Sequence, residues 1–169
     1  MDKINHFSKV PENRTAVDNI LRVNHGNQMR LNLMADAKAN IMITVASVVF
    51  SIAIANLDNE LVKWPLLTFA FGCFFALLFA IFAIIPKTDY PKDVTGDIDR
   101  KSPLFNPLFF GHFAHLPIEE YKEDYAETLM TDDSVYDAMA GDIYGQGKVL
   151  ALRKYKFLKW SYMSFLLGM

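Results

Sequence analysis

Apolar side chains crowd into two charge-free blocks between residues 39 and 85, while the flanks mix polar and apolar positions at helical spacing. Crossing about 30 Å of hydrocarbon takes roughly 20 apolar residues at about 1.5 Å of rise each. Segments 39–57 and 64–85 both reach that length, and the six residues between them, DNELVK, hold the only charges of the region. The rest of the chain is too polar and too short to bury two such helices as a soluble core, so the pattern predicts a transmembrane helical hairpin. Its first helix starts well before the bilayer, because Gly26 is the only interruption between residues 17 and 57. Pro86 ends the second helix where the chain leaves the lipid.

Topology follows from the placement of Lys and Arg. Arg22, Arg30 and Lys38 precede the first span, and Lys87, Lys92, Arg100 and Lys101 follow the second, whereas the connecting loop carries Lys63 alone. Positive charge stays inside. Both hairpin ends are therefore expected in the cytoplasm, with Trp64 at the outer interface. The start, MDKINHFSKVPENR, lacks the apolar core of a signal peptide, so the first span is expected to act as the insertion signal.

Beyond the hairpin, KTDYPKDVTGDIDR is charged, turn-rich and aperiodic, and is expected to be a mobile linker. A Phe-rich stretch bracketed by Pro103 and Pro117 follows. It either docks on the cytosolic helices, the preferred reading, or lies among lipid headgroups. Pro117, Glu119 and Glu120 begin a helix running to Met130. Asp132, Asp133 and Ser134 then cap a longer one with Val135, Met139, Ile143, Leu150 and Leu158 on its apolar side. That helix turns basic through Lys148, Arg153, Lys154, Lys156 and Lys159, and is apolar in overall character and free of charge over 160–169. Ten residues reach only about 15 Å, so this third membrane helix stops mid-bilayer or is cut short of a full span. The expected class is an all-α membrane protein: a cytosolic N-terminal helix (1–38), the hairpin (39–86), a linker (87–102), a cytosolic helical region (103–159) and an apolar C-terminal segment (160–169).

A polar row accompanies the first helix. His25, Gln28, Asn32, Asp36, Asn40, Thr44, Ser47 and Ser51 follow at intervals of three or four, which reads as one face descending into the bilayer. Such side chains either bond to a neighbouring helix or line a hydrated cavity. Either outcome implies a homo-oligomer, since one hairpin offers little surface to cover the row. Asp36 and Lys38, two apart, are expected to find different partners.

Composition narrows the function further. A formal net charge of −2 argues against nucleic acid as a partner. A single cysteine, Cys73, excludes an internal disulfide. His112 and His115 with Glu119 make a weak metal pattern, read as structural, and no metal or cofactor is expected. Gly145-Gln146-Gly147 lies in a helical pattern and lacks the setting of a phosphate loop. No convergent catalytic set is visible, so an enzyme is not expected.

Two blocks carry a family likeness. Asn24-His25-Gly26-Asn27-Gln28 and then Met34-Ala35-Asp36-Ala37-Lys38-Ala39-Asn40, leading into the first span, resemble the signature of the membrane-spanning Pycsar effectors. Asn106-Pro107-Leu108-Phe109-Phe110-Gly111-His112-Phe113, Asp142-Ile143-Tyr144, Lys148-Val149-Leu150-Ala151 and Arg153-Lys154-Tyr155 are similar to the second half of the same domain. Family members usually continue through a full third span, unlike this chain. The resemblance implies an antiphage effector of the bacterial inner membrane. A partner pyrimidine nucleotide cyclase makes cyclic CMP or cyclic UMP, the effector responds, membrane integrity fails, and the infection aborts with the cell. For such a ligand the candidate contacts are Arg30, Lys38, Arg153, Lys154 and Tyr155, cations for a phosphate and a ring for a base. The competing reading is a non-gated, membrane-anchored adaptor or scaffold with a helical cytosolic docking region.

Overall fold

A computed structural model describes residues 15–86, 91–92, 96–102 and 105–169; the segment 1–14, linker residues 87–90 and 93–95, and Pro103 with Leu104 lie outside the described residues. Helices follow in the order α1 (Thr15–Ala55), α2 (Lys63–Ile84), α3 (Phe110–Phe113), α4 (Ile118–Thr128), α5 (Asp132–Val149), a π-turn (Leu150–Lys154) and α6 (Tyr155–Gly168). Among the described residues the only strand-like pairing is an isolated antiparallel bridge between Lys92 and Ile98. The chain forms two compact units. An apolar unit comprises Met29–Ile85 and Gly147–Met169, and a polar unit comprises Met1–Gln28 and Pro86–Gln146. The divisions expected at 38 and 159 track polarity along the sequence, whereas the units track packing.

The apolar unit is built inside out relative to a water-soluble bundle. In its first two helices the buried positions are Ala35, Ala39, Met42, Ala46 and Ala53 on α1, and Ala70, Cys73, Ala76, Ala80 and Ala83 on α2. Bulky Ile41, Val48, Ile52 and Phe71 each expose more than half of their surface. Water would penalise that arrangement at about 25 cal/mol per Å² of exposed apolar surface. Lipid does not, and packing between lipid-embedded helices favours small residues that let backbones come close. With two helices long and apolar enough to cross a bilayer, this is an all-α membrane protein.

Helix α6 runs antiparallel along α2. Leu158 packs with Ala39 and Ala83, Ser161 Oγ donates to the Ala76 carbonyl at 2.7 Å, and the Phe69 and Phe165 rings lie 5.9 Å apart. At the far end Gly168 meets Gly72 so closely that a Cβ on Gly72 would sit 2.6 Å from the Gly168 Cα and 2.9 Å from the Ser164 carbonyl oxygen. The third helix thus engages the hairpin from Tyr155 onward, starting before the charge-free run at 160–169.

In the polar unit the Phe-rich segment docks on α5. Asn106 organises it: its amide N–H donates to His112 Nδ1 at 3.0 Å, its side chain donates to the Ala138 carbonyl at 2.8 Å, and its Oδ1 accepts from the Leu108 N–H at 2.9 Å. His112 also stacks on Phe105 and meets the edge of Phe109, so its role here is structural. Helix α5 is capped by Thr131, whose Oγ1 accepts the Ser134 N–H at 3.2 Å; the cap expected from Asp132 to Ser134 belongs one residue earlier, and the two aspartates occupy the first turn. Arg100, at the end of the expected linker, holds Asp124 at 2.6 Å, Glu123 at 3.0 Å and Glu120 at 3.2 Å. Those carboxylates push its pKa up.

The glycines yield a paired prediction. Gly72→Ala has backbone on both sides, and should cost roughly 1–3 kcal/mol by overpacking. Gly26→Ala meets nothing within 4 Å and should add about 0.5–1 kcal/mol through helix propensity. Thermal unfolding in detergent should therefore move in opposite directions for the two variants.

Candidate functional site

At one end of the apolar unit, where Ala39, Ala83 and Leu158 meet, charge accumulates with one sign. Over 29–57 and 147–169 the only acid is Asp36, against Arg30, Lys38, Lys148, Arg153, Lys154, Lys156 and Lys159. That lone acid is taken. Lys154 Nζ donates to both Asp36 carboxylate oxygens, at 2.7 and 2.9 Å. Lys154 keeps 18% of its side-chain surface and Asp36 38%. The pair falls between exposed ion pairs, worth less than about 1 kcal/mol, and buried ones whose rupture costs about 3–5 kcal/mol. Beside it Lys38 Nζ stands 6.0 Å above the Tyr155 ring, at the outer limit of cation–π attraction.

This meeting falls at the π-turn. A π-turn accommodates one extra residue, which advances everything after it by about 100° around the helix axis. Lys154 ends the turn and Tyr155 begins α6. Asp36 and Lys38 do find separate partners, on the consecutive residues Lys154 and Tyr155 where the π-turn passes into α6. Of the residues expected to contact a ligand, Lys38, Lys154 and Tyr155 come together, and Arg153 is half-buried one residue away. Arg30 is exposed, six residues or about 9 Å before Asp36 along α1.

The polar row divides, for a reason visible in helix geometry. Each four-residue step advances about 400°, so it gains about 40° on a full turn. From Asn32 through Asp36 and Asn40 to Thr44 the row therefore winds about 120° around α1. Asn32 and Asp36 are half-buried, whereas Asn40, Thr44 and Ser51 are exposed. Two of the hydroxyls are satisfied within their own helix: Thr44 Oγ1 donates to the Asn40 carbonyl at 3.0 Å and Ser51 Oγ to the Ser47 carbonyl at 2.9 Å. Among the described residues the Asn40 side-chain amide has no hydrogen-bond partner.

The upper members of the row lie in the polar unit, where the structure adds residues that the sequence pattern did not single out. Asp142 is 8% exposed, its Oδ2 3.2 Å from His25 Nε2 and accepting from Gln146 Nε2 at 2.7 Å. Gln146 Nε2 in turn lies 3.3 Å from His25 Nε2. Nearby on the same two helices Tyr136 OH donates to Asp18 Oδ1 at 2.8 Å. Asp142 and Gln146 are four apart and share a helix face, the one signal that would have paired them; Gln146 sits inside the glycine motif set aside above.

Burial pushes the Asp142 carboxyl above its ordinary range, opposed by the attraction of His25 and by hydrogen bonds from Gln146 and His25. Raised in the folded state, this acid binds more proton folded than unfolded over the window above about 4. Stability attributable to it is therefore greatest below that window and falls as pH rises through the raised value. Asp142→Asn cannot ionise, so its melting temperature relative to wild type should climb as pH is taken from 4 to 8; a constant offset across that range would refute the assignment.

A model of the Pycsar effector protein domain, PycTM, matches residues 19–169. Comparison with curated proteins and with solved structures yields no match. The matched span takes in both blocks of the sequence likeness, all of α2 and α6, the π-turn and the Asp36–Lys154 pair. The chain belongs to the PycTM family of Pycsar effector proteins, effectors of antiphage cyclic-nucleotide signalling.

Proposed function

We propose that this effector senses cyclic CMP or cyclic UMP from a partner pyrimidine nucleotide cyclase at the charged end of its apolar unit, and answers by rearranging within a homo-oligomer so that the bacterial inner membrane loses integrity. The observation that carries the reading is the convergence of Lys38, Lys154 and Tyr155 around the lone acid Asp36. A cyclic mononucleotide needs cations for its phosphodiester and a ring or amide for its base, and this cluster supplies both with an excess of positive charge. Family membership supports the signal class, and the charge bias of the sequence supports a multi-pass arrangement with both hairpin ends in the cytoplasm.

Assembly rests on Asn40. Its amide faces outward on a membrane helix, and in hydrocarbon an unpaired amide costs more than one bonded across helices. A second copy of α1 offers the same amide in return. Ligand binding changes such an assembly only as far as it prefers one packing over another, and the half-covered polar row gives two packings to choose between.

Co-expression with a pyrimidine cyclase should admit a membrane-impermeant dye, and absence of dye uptake while the cyclic nucleotide accumulates would sink the proposal. Asn40→Leu removes the outward amide and leaves the seam between α1 and α2 intact. It should reduce dye uptake at least about tenfold, the factor equivalent to roughly 1.4 kcal/mol of lost association, at unchanged protein level in the membrane.

A further inference from the structure

Lys154 is the most enclosed cation at the charged end for which a partner is seen, and what holds it is a carboxylate from a different helix. Both Asp36 oxygens bond to the one ammonium. The π-turn that ends at Lys154 is rare relative to continuous α-helix, and such turns occur frequently at functional sites. To an ammonium, a carboxylate and a phosphodiester look alike: each is a monoanion presenting two oxygens from one central atom. Four neighbouring cations, Lys38, Arg153, Lys156 and Lys159, have no acid of their own in this end of the unit, so a second anion is electrostatically welcome there.

We infer that Lys154 is the seat for the phosphodiester of the activating ligand, and that Asp36 is the internal occupant which that phosphodiester must displace. The inference rests on the functional reading above and adds its regulation. In the resting protein the seat is filled, α1 is tied to the π-turn, and ligand binds only to the fraction of molecules in which Asp36 has let go. Apparent affinity is reduced by that fraction. Displacement also leaves the Asp36 carboxylate half-buried without its counter-ion, a state relieved by moving α1 until the charge reaches water. Ligand capture is thereby coupled to motion of the helix that carries the polar row, with no bond made or broken.

The test is binding of cyclic CMP and cyclic UMP to the full-length protein in detergent, comparing wild type with Asp36→Asn and Lys154→Gln. Both substitutions break the same ion pair, so a purely structural pair would shift affinity in one direction for both. The seat predicts opposite directions: Asp36→Asn removes the competitor and should tighten binding about tenfold or more, while Lys154→Gln removes the seat and should weaken it by a similar factor. Equal or weaker binding by Asp36→Asn overturns the inference, and that variant decides alone if Lys154→Gln does not fold. Wild type that binds neither nucleotide overturns both this inference and the functional reading. Wild type that binds, with both variants unchanged, overturns the seat and leaves the reading standing. Repeating the series with phosphatidylglycerol added separates the two sources of phosphate: a gain by Asp36→Asn that appears only with the lipid assigns the seat to a headgroup and overturns the nucleotide proposal.

Discussion

The seam of small residues in the apolar unit is the constraint on which the rest depends. Ala39, Ala46, Cys73, Ala76 and Ala80 are fully enclosed, and Gly72 and Gly168 bring two backbones together where no side chain fits. In lipid there is little gain from hiding a leucine, because the surroundings are as apolar as the interior. Close van der Waals contact and a few internal hydrogen bonds must hold the helices instead. Ser161, bonded to the Ala76 carbonyl, is one such bond, and it sits in the middle of the α2–α6 contact. Because the seam admits little slack, the register of α6 against α2 is set within narrow limits.

That register has a chemical consequence at the charged end. With α6 held in place, the residues just before it are carried to a defined level beside α1, and Lys154, the last residue of the π-turn, meets Asp36 there. A cation-rich membrane boundary is ordinary for a protein that keeps positive charge on one side. What distinguishes this one is a single acid clasped by both oxygens amid seven bases. A clasped acid at such a place ties two helices together and fills the position most attractive to an incoming anion. The polar unit has its own counterpart in Asp142, a carboxylate kept in a poorly solvated place by His25 and Gln146. A buried carboxylate is costly to retain, which makes Asp142 a candidate for a role beyond folding.

How much of this was legible depended on whether a feature is local. The spans expected at 39–57 and 64–85 lie within α1 (Thr15–Ala55) and α2 (Lys63–Ile84) to within two residues, since hydropathy sums over neighbours. The docking of the Phe-rich segment was readable from its composition, although Asn106, which fastens it, was not. Lys38, Lys154 and Tyr155 stood out as cations and a ring near a membrane boundary; that Asp36 would be the acid they surround did not, because it lies 118 residues from Lys154. The polar row was visible, but its reading as one face was too simple, since steps of four drift around a helix of about 3.6 residues per turn. The alanine seam went unread beside the conspicuous polar row, though its spacing was there to see.

The amino-acid sequence by itself determined the solvent, the helix lengths and the excess of positive charge around a lone acid, because these are sums over neighbouring side chains. Only the tertiary structure decided which cation meets Asp36, how the polar row is shared between covered and exposed sides, and where the third helix begins to pack. Those outcomes turn on helix phase and register. One π-turn rotates every later side chain by about 100°, and one glycine contact sets how near two backbones stand, effects that no pattern within a single helix records.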